Sequence, residues 1–300
     1  MRVCRAIALV LFATTSVAAL AADELKFGPA PNWVVPNDIP TTSNAPPDAP
    51  VAIMLSDQQI NFTAGKIANY TRSAIKIQNG QGLAVGNISL PWNPTTDTVT
   101  VHQFLIRRGS QVIDVLASGQ KFQTIRREAN LELAMLDGRL TANIQPEGLQ
   151  VGDIIDVATT TEKNDPILKG HVEALFAEWN GVPMKSARAR LVWPSNVDLK
   201  IARSGGLPSL LTTSKAGVKT AELSLSDAEP LLPPKGAPLR FALGRIAEAS
   251  DFKSWSEVAG LLIPYYKQAS VIPAAGPLRD EVERIRRQSK DPVKRAELAL

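Results

Sequence analysis

The chain has 300 residues, of which 44% are hydrophobic and 21% charged, a composition typical of a globular protein. Its length predicts about two domains at ~150 residues each. The formal net charge is +4, and loss of Arg2 and Arg5 with a removable leader would lower it by two. So small a charge argues against nucleic-acid binding, which uses clustered basic surfaces. The single cysteine, Cys4, excludes an internal disulfide.

Residues 1–22 have the three parts of a signal peptide. Arg2 and Arg5 give a basic start, an apolar run follows, and small residues end the segment with cleavage sites after Ala21 or Ala22. The apolar run is shorter than the ~20 residues of a membrane-spanning helix. We therefore expect export, with a periplasmic or cell-envelope location and no transmembrane segment in the mature chain.

Residues 23–50 form a Pro-rich arm or linker, with seven prolines between positions 29 and 50. Such a composition favours extended, polyproline-like backbone without a core of its own. It is typical either of a tether or of an arm laid over the next domain. Trp33-Val34-Val35 is its one apolar point of attachment.

Residues 51–242 read as short apolar runs separated by turn residues, which predicts an antiparallel β-sandwich domain. Leu131–Leu136 and Leu140–Ile144 flank Asp137-Gly138, a pair that favours a tight hairpin turn. Ala187–Trp193 alternates small or apolar residues with arginines, as expected for a strand with one face in water.

Residues 243–300 change to a helical period. Ser254 and Glu257 form a capping-box pattern that predicts a helix ending at Pro264. Pro277 and Asp291-Pro292 mark the starts of two more helices. The predicted fold is therefore mainly β, with an antiparallel β-sandwich followed by a short α-helical segment.

The segment from about Tyr70 to Leu168 resembles domain of unknown function 3857, which precedes a transglutaminase-like core in exported bacterial proteins. The resemblance rests on one ordered set of residues. This set is Trp92, Asp97-Thr98, His102, Ile106-Arg107, Ile113–Leu116, Gly119, Phe122, Arg126–Glu128, Asp137-Gly138, Pro146–Leu149, Val151–Ile155 and Pro166.

The helical segment from Ser254 onward is similar to the start of the transglutaminase-like domain, which is incomplete in these 300 residues. The resemblance implies a catalytic cysteine, histidine and aspartate farther downstream, none of which has a counterpart here. It implies fold and context for this chain and no reaction.

Histidines, the usual acid–base and metal residues, number only two, His102 and His171. His171 and Glu173 are two residues apart and would lie on one side of a strand, but a zinc site needs three or four ligands. In a strand, His102 would point to the same face as Phe104 and Ile106, because side chains alternate. This favours a packed, hydrogen-bonded histidine. We assign no metal ligand.

Four acidic residues, Asp137, Glu147, Asp153 and Asp156, are the candidates for paired carboxylates in acid–base chemistry. Turn chemistry explains most of them, because three lie in or beside turns rich in glycine. We therefore assign no catalytic residue.

Two arginine pairs, Arg107-Arg108 and Arg126-Arg127, would form an anion-facing patch if their strands were adjacent. A solvated strand edge is the alternative that we favour. No phosphate loop, dinucleotide fingerprint or nucleophile elbow occurs, so no cofactor is expected.

These observations predict a non-catalytic exported protein whose β domain binds or positions a partner. The candidate partners are its own catalytic domain, a cell-envelope protein, a peptide or a glycan. The alternative is the N-terminal part of an exported transglutaminase or cysteine peptidase whose active site lies beyond residue 300. An independent hydrolase that uses the acidic residues is a third hypothesis.

The leader yields a direct test of export. Because cleavage after Ala21 or Ala22 removes Cys4, the mature protein should contain no thiol and should resist iodoacetamide. Intact mass and N-terminal sequencing of the periplasmic fraction measure this. A mature protein that still carries a labelled cysteine would contradict the cleavage.

Overall fold

A computed structural model describes residues 24–63, 65–126, 138–231, 235–238 and 244–300. The chain forms two compact units, a β unit that ends at Asp251 and a helical unit from Phe252 to Leu300. The predicted signal peptide, residues 1–22, lies outside the described residues.

The described part of the β unit consists mostly of strands. In chain order they are β1 (Lys26–Phe27), β2 (Val51–Thr63), β3 (Lys66–Ile77), β4 (Ile88–Trp92), β5 (Asp97–Arg108), β6 (Gln111–Asp114), β7 (Gln123–Arg126), β8 (Leu140–Ile144), β9 (Ile154–Lys163), β10 (Glu173–Phe176), β11 (Met184–Pro194), β12 (Lys200–Arg203), β13 (Leu211–Lys215), β14 (Val218–Ala228) and β15 (Ala247–Ser250). The prediction of a mainly β fold is confirmed.

One large sheet dominates the β unit, with strand order β1-β5-β9-β3-β2-β11-β14-β13 and β6 paired to β5. Its pairs are antiparallel except for two, since β1 runs parallel to β5 and β2 parallel to β11. The sheet is therefore mixed and not purely antiparallel as expected. The parallel pair β2·β11 joins strands that are far apart in sequence, which local turn patterns do not specify.

Two small sheets, β10-β15-β12 and β4-β8-β7, pack on one face of the large sheet. Phe62 and Leu191 of the large sheet pack in one apolar cluster with Phe176. Phe104 and Ile155 pack in a second cluster, which contains Ile144 of β8. The apolar positions of the long strands therefore point to this face, and alternation places their polar positions on the other.

The Pro-rich arm lies against that other face. Ile39 and Ala45 of the arm pack against a small apolar cluster that contains Met54 and Ala74. Farther along, the Gln78 amide donates to the Pro46 carbonyl at 2.9 Å. The composition is compatible with a tether or with an arm laid over the next domain. These contacts show an arm laid over the domain.

The predicted hairpin at Asp137-Gly138 falls partly outside the described residues, which exclude Leu131–Leu136 and Asp137. Gly138 has a φ of 66°, the positive value that such a turn requires. β8 pairs with β7 on one edge and with β4 on the other. The sequence predicts that β8 pairs with residues 131–136, whereas its partners among the described residues are β4 and β7.

The β unit extends beyond the expected boundary at residue 242. β15 (Ala247–Ser250) forms the centre of a small sheet, between β10 and β12, so residues 247–250 are strand and not helix. Its four residues are too few for a period to show in the sequence.

The helical unit contains α1 (Trp255–Ala269), α2 (Pro277–Gln288) and α3 (Pro292–Ala299). The predicted starts are confirmed. The Ser254 hydroxyl accepts from the Glu257 amide, and the Asp291 carboxylate accepts from the Val293 amide. α1 does not end at Pro264 but continues to Ala269.

Two glycines in the 3-10 segment Gly80–Gly86 give a matched pair for testing the packing of the arm junction. A Cβ at Gly82 would meet the Pro50 carbonyl oxygen at 2.1 Å, whereas a Cβ at Gly80 would meet nothing within 4 Å. Gly82→Ala should lower the free energy of unfolding by ~1–3 kcal/mol, as overpacking does, and Gly80→Ala by less than ~1 kcal/mol. Urea unfolding measures both, and equal effects would contradict the close approach.

Candidate functional site

The polar face of the large sheet carries two buried carboxylates, and the first is Asp57 on β2. Its side chain accepts two hydrogen bonds from Arg188 of β11, at 2.8 and 2.9 Å. It also accepts from the Gln59 amide nitrogen at 3.0 Å. Asp57 therefore fixes the orientation of an arginine on the neighbouring strand β11 and of an amide on its own strand.

The second buried carboxylate is Asp156 on β9, which is 0% exposed. Arg72 of β3 binds it with two hydrogen bonds, at 2.8 and 2.9 Å. Arg107 and Gln103 of β5 donate to it at 2.9 and 2.7 Å. Three adjacent strands therefore meet at this one side chain.

The arginines decide the ionisation of this carboxyl group. Burial alone would raise the pKa of Asp156, but the hydrogen bonds and charges of Arg72 and Arg107 outweigh it. The pKa of Asp156 is therefore held below its usual range. The Asp156 hydrogen bond in turn raises the pKa of Arg72, so the pair is ionic at neutral pH.

The remaining donors of these side chains hold the main chain of the arm. The Arg190 guanidinium donates to the Trp33 carbonyl at 3.0 Å, and Arg188 donates to the Val35 carbonyl at 2.6 Å. Arg72 donates to the Asn37 carbonyl at 2.8 Å. We call this arrangement of Asp57, Gln59, Arg72, Asp156, Arg188 and Arg190 the arginine face.

Gln59 makes the most specific of these contacts. Its side-chain oxygen accepts from the Val35 amide at 2.9 Å, and its nitrogen donates to the Val35 carbonyl at 2.7 Å. The side chain thus pairs with one residue of extended backbone as a neighbouring strand would. Gln59 itself is 0% exposed.

The arginine face is not in water, which corrects the prediction for Ala187–Trp193. The side chains of Arg188 and Arg190 are only 11% and 15% exposed, because the arm covers them. The alternation does mark a strand with two different faces, since buried and half-buried residues alternate over residues 187–191 of β11. Nothing in residues 187–193 themselves indicates what covers the charged face.

His102 holds the start of the arm, and its position also corrects a prediction. Its Nδ1 lies 2.9 Å from the Gly28 carbonyl, so Nδ1 carries the proton, and Nε2 lies 2.7 Å from the Thr160 hydroxyl. The register between β5 and β9 shifts at Val101/Gln103. This bulge breaks the alternation, so His102 does not share a face with Phe104.

The other candidate residues are separate from one another. His171 Nδ1 lies 3.1 Å from an Asp251 carboxylate oxygen. Asp153 accepts hydrogen bonds from the Arg108 guanidinium and from the Gln150 backbone amide. It therefore takes part both in an ion pair and in the turn. The Arg108 hydrogen bond is the main reason that the pKa of Asp153 is lowered.

The acidic and basic pairs considered from sequence do not form an acid–base site in the part of the chain that the structure describes. Glu147 is exposed, and Asp137 and Arg127 lie outside the described residues. Arg107 is on β5 of the large sheet and Arg126 on β7 of a small one, so the two arginine pairs are not on adjacent strands.

A shallow basic cleft of about 600 Å³ adjoins the arginine face, lined by Arg72, Lys76 and Arg107 and by arm residues 38–41. Within the described ranges, no group of three or more His, Cys, Asp or Glu side chains is placed to hold a metal ion. No described helix is long and apolar enough to cross a membrane.

The family model for a domain of unknown function with a solved structure, DUF3857, matches residues 63–231. A crystal structure from Parabacteroides distasonis, described as that of a putative protease, has a TM-score of 0.68 at 12% identity and aligns over 83% of this chain and 49% of that one. That similarity shows the fold alone, and this chain spans about half of that protein's length.

A second solved structure, an M1 zinc metallopeptidase from Deinococcus radiodurans, has a TM-score of only 0.31 at 12% identity, over 66% of this chain and 42% of that one. No curated relative matches the chain.

Asp156 provides a test of the arginine face by pH. Because its folded pKa is lowered, it stabilises the fold above the ordinary carboxylate pKa of about 3.9, and this contribution is lost as pH falls through the folded value. Asp156→Asn should lower the free energy of unfolding at pH 7 by ~3–5 kcal/mol. It should also lose less stability than the parent between pH 5 and pH 2.

The matched control is Asp227→Asn, which removes a carboxylate that is 53% exposed and pairs with Lys185. Such surface pairs contribute little, so its stability and pH profile should follow the parent's. Guanidinium unfolding at several pH values measures all three proteins. Equal stability of Asp156→Asn and the parent at pH 7 would contradict the role of Asp156.

Proposed function

Since the chain belongs to the DUF3857 family, we propose that it is a non-catalytic module of the bacterial cell envelope that positions a partner protein. The partner that we propose first is a transglutaminase-like catalytic domain. The observation that carries this proposal is that the arginines of the β unit, which Asp57 and Asp156 orient, bind the main chain of the arm.

The chemistry of the buried acids supports a non-catalytic role. A general acid or base works best with a pKa near the operating pH. Arg72 and Arg107 hold the pKa of Asp156 below its usual range, and Arg108 does the same for Asp153. Both carboxylates are therefore anions at neutral pH and orient arginines, which suits a scaffold.

The helical unit supports the choice of partner. Its buried apolar residues are Leu261 and Ile285, whereas Trp255 is 87% and Tyr266 74% exposed. Both exposed side chains lie on α1, and large exposed apolar side chains are typical of surfaces that contact another protein. By resemblance, these helices are also the part that begins a transglutaminase-like domain.

A second candidate function is the N-terminal part of an exported transglutaminase or cysteine peptidase. The similarity to about half of a protein described as a putative protease favours it. Reading the coding frame beyond Leu300 separates the two candidates. A continuing frame with Cys, His and Asp in order makes this chain the non-catalytic front of an enzyme, and a stop codon favours a separate module.

We propose a periplasmic or cell-envelope location on the strength of the leader pattern in residues 1–22. The thiol test given above addresses this location independently of the partner.

The helical unit gives the experiment for the partner. Because short helices without a partner surface are marginal, the amides of Arg279–Leu300 should exchange with solvent sooner than those of β3 and β9. Adding a transglutaminase-like domain, as a separate protein or as a C-terminal extension, should slow their exchange. Hydrogen exchange with mass spectrometry measures both states.

Amides of β3 and β9 serve as the internal control, because the partner should leave them unchanged. If Arg279–Leu300 alone already exchanged as slowly as these strands, the helices would have their partner within the chain. The proposal of a docked catalytic domain would then be wrong.

A further inference from the structure

The arginine face recognises the main chain of the arm and not its side chains. Its contacts are with the carbonyls of Trp33, Val35, Pro36 and Asn37 and with the Val35 amide. Val35 is 42% exposed. What is recognised is therefore a short run of main-chain carbonyls together with the Val35 amide.

The donors are held in place without the arm. Two bonds from Arg188 to Asp57 and two from Arg72 to Asp156 fix both guanidinium planes from within the sheet. Asp57 also orients the Gln59 amide. A site whose donors are oriented in advance loses little entropy when a segment binds.

The segment that occupies the site is adapted to binding without a fold of its own. Pro31 begins a turn in which the Val34 amide donates to the Pro31 carbonyl at 3.0 Å, and Pro36 follows Val35. The fixed φ of the two prolines lowers the cost of ordering the segment. Between Ile39 and β2 the arm crosses Thr41, Thr42 and Ser43, all exposed. The occupied site and its exposed connection together resemble a ligand on a tether.

We propose that the arginine face is a binding site for the main chain of a proline-flanked segment, and that residues 33–37 are its intramolecular occupant. A segment of a partner protein with the same backbone chemistry replaces them. The tether gives the arm a high effective concentration, so a partner segment binds weakly until the arm is released. This inference rests on the same arginine face that supports the proposed function, but the catalytic partner is tested at the helical unit, so the two proposals can fail separately.

The test uses the full mature chain with a specific protease site inserted between Thr42 and Ser43, where both residues are exposed. The probe is a fluorescein-labelled peptide of residues 24–42. Before cleavage the peptide should show no binding in fluorescence anisotropy. After cleavage it should exchange into the site and displace the severed arm.

Two peptide variants separate backbone from side-chain recognition without altering the protein fold. N-methylation of Val35 removes the amide that donates to Gln59, and should weaken binding about tenfold, as expected for a lost hydrogen bond to a buried partner. Val35→Ala keeps the amide and changes only an exposed side chain, so it should bind as the parent peptide does.

Three outcomes would overturn the proposal. In the first, the severed arm remains bound and admits no peptide, so the segment is a fixed part of the fold. In the second, the N-methylated peptide binds as tightly as the parent. In the third, Val35→Ala is as weak as the N-methylated peptide, so side chains and not backbone are recognised. Binding by the cleaved protein with the expected order of peptides supports the site.

Discussion

Asp57 and Asp156 impose the constraint on which the β unit depends, because an ionised carboxylate can be buried only if charged donors surround it. Asp156 collects Arg72, Arg107 and Gln103 from β3 and β5, and Asp57 collects donors from β2 and β11. The central strands are therefore joined by side chains as well as by their backbone ladder. Removing either carboxylate would leave buried arginines without a counter-ion.

The same constraint explains the Pro-rich arm. A guanidinium has five donors, and one carboxylate satisfies only two or three of them. The remaining donors of Arg72, Arg188 and Arg190 need acceptors in a place that water reaches poorly. Backbone rich in proline presents carbonyls and few competing amides, so the arm satisfies the face and shields it at once.

The sequence was informative where structure follows from local patterns. The caps at Ser254 and Asp291 set the starts of two helices, and alternation in residues 187–193 indicated a two-faced strand. Non-local features were not predictable in this way. The parallel pairing of β2 with β11, the bulge at His102 and the cover over Arg188 each depend on residues distant in the chain. Asp156 is one of the sequence candidates for acid–base chemistry. Its ion pair with Arg72 is not predictable from sequence, because the two residues are 84 positions apart.

Hydrogen exchange at the single amide of Val35 tests the central claim most directly. That amide lies outside any described strand and donates to the Gln59 side chain, whose orientation Asp57 fixes. We predict that it is protected in the parent and exchanges much faster in Asp57→Asn, while the Ile155 amide of β9 stays protected in both. A Val35 amide that exchanges in the parent at the rate of an unstructured peptide would contradict the account.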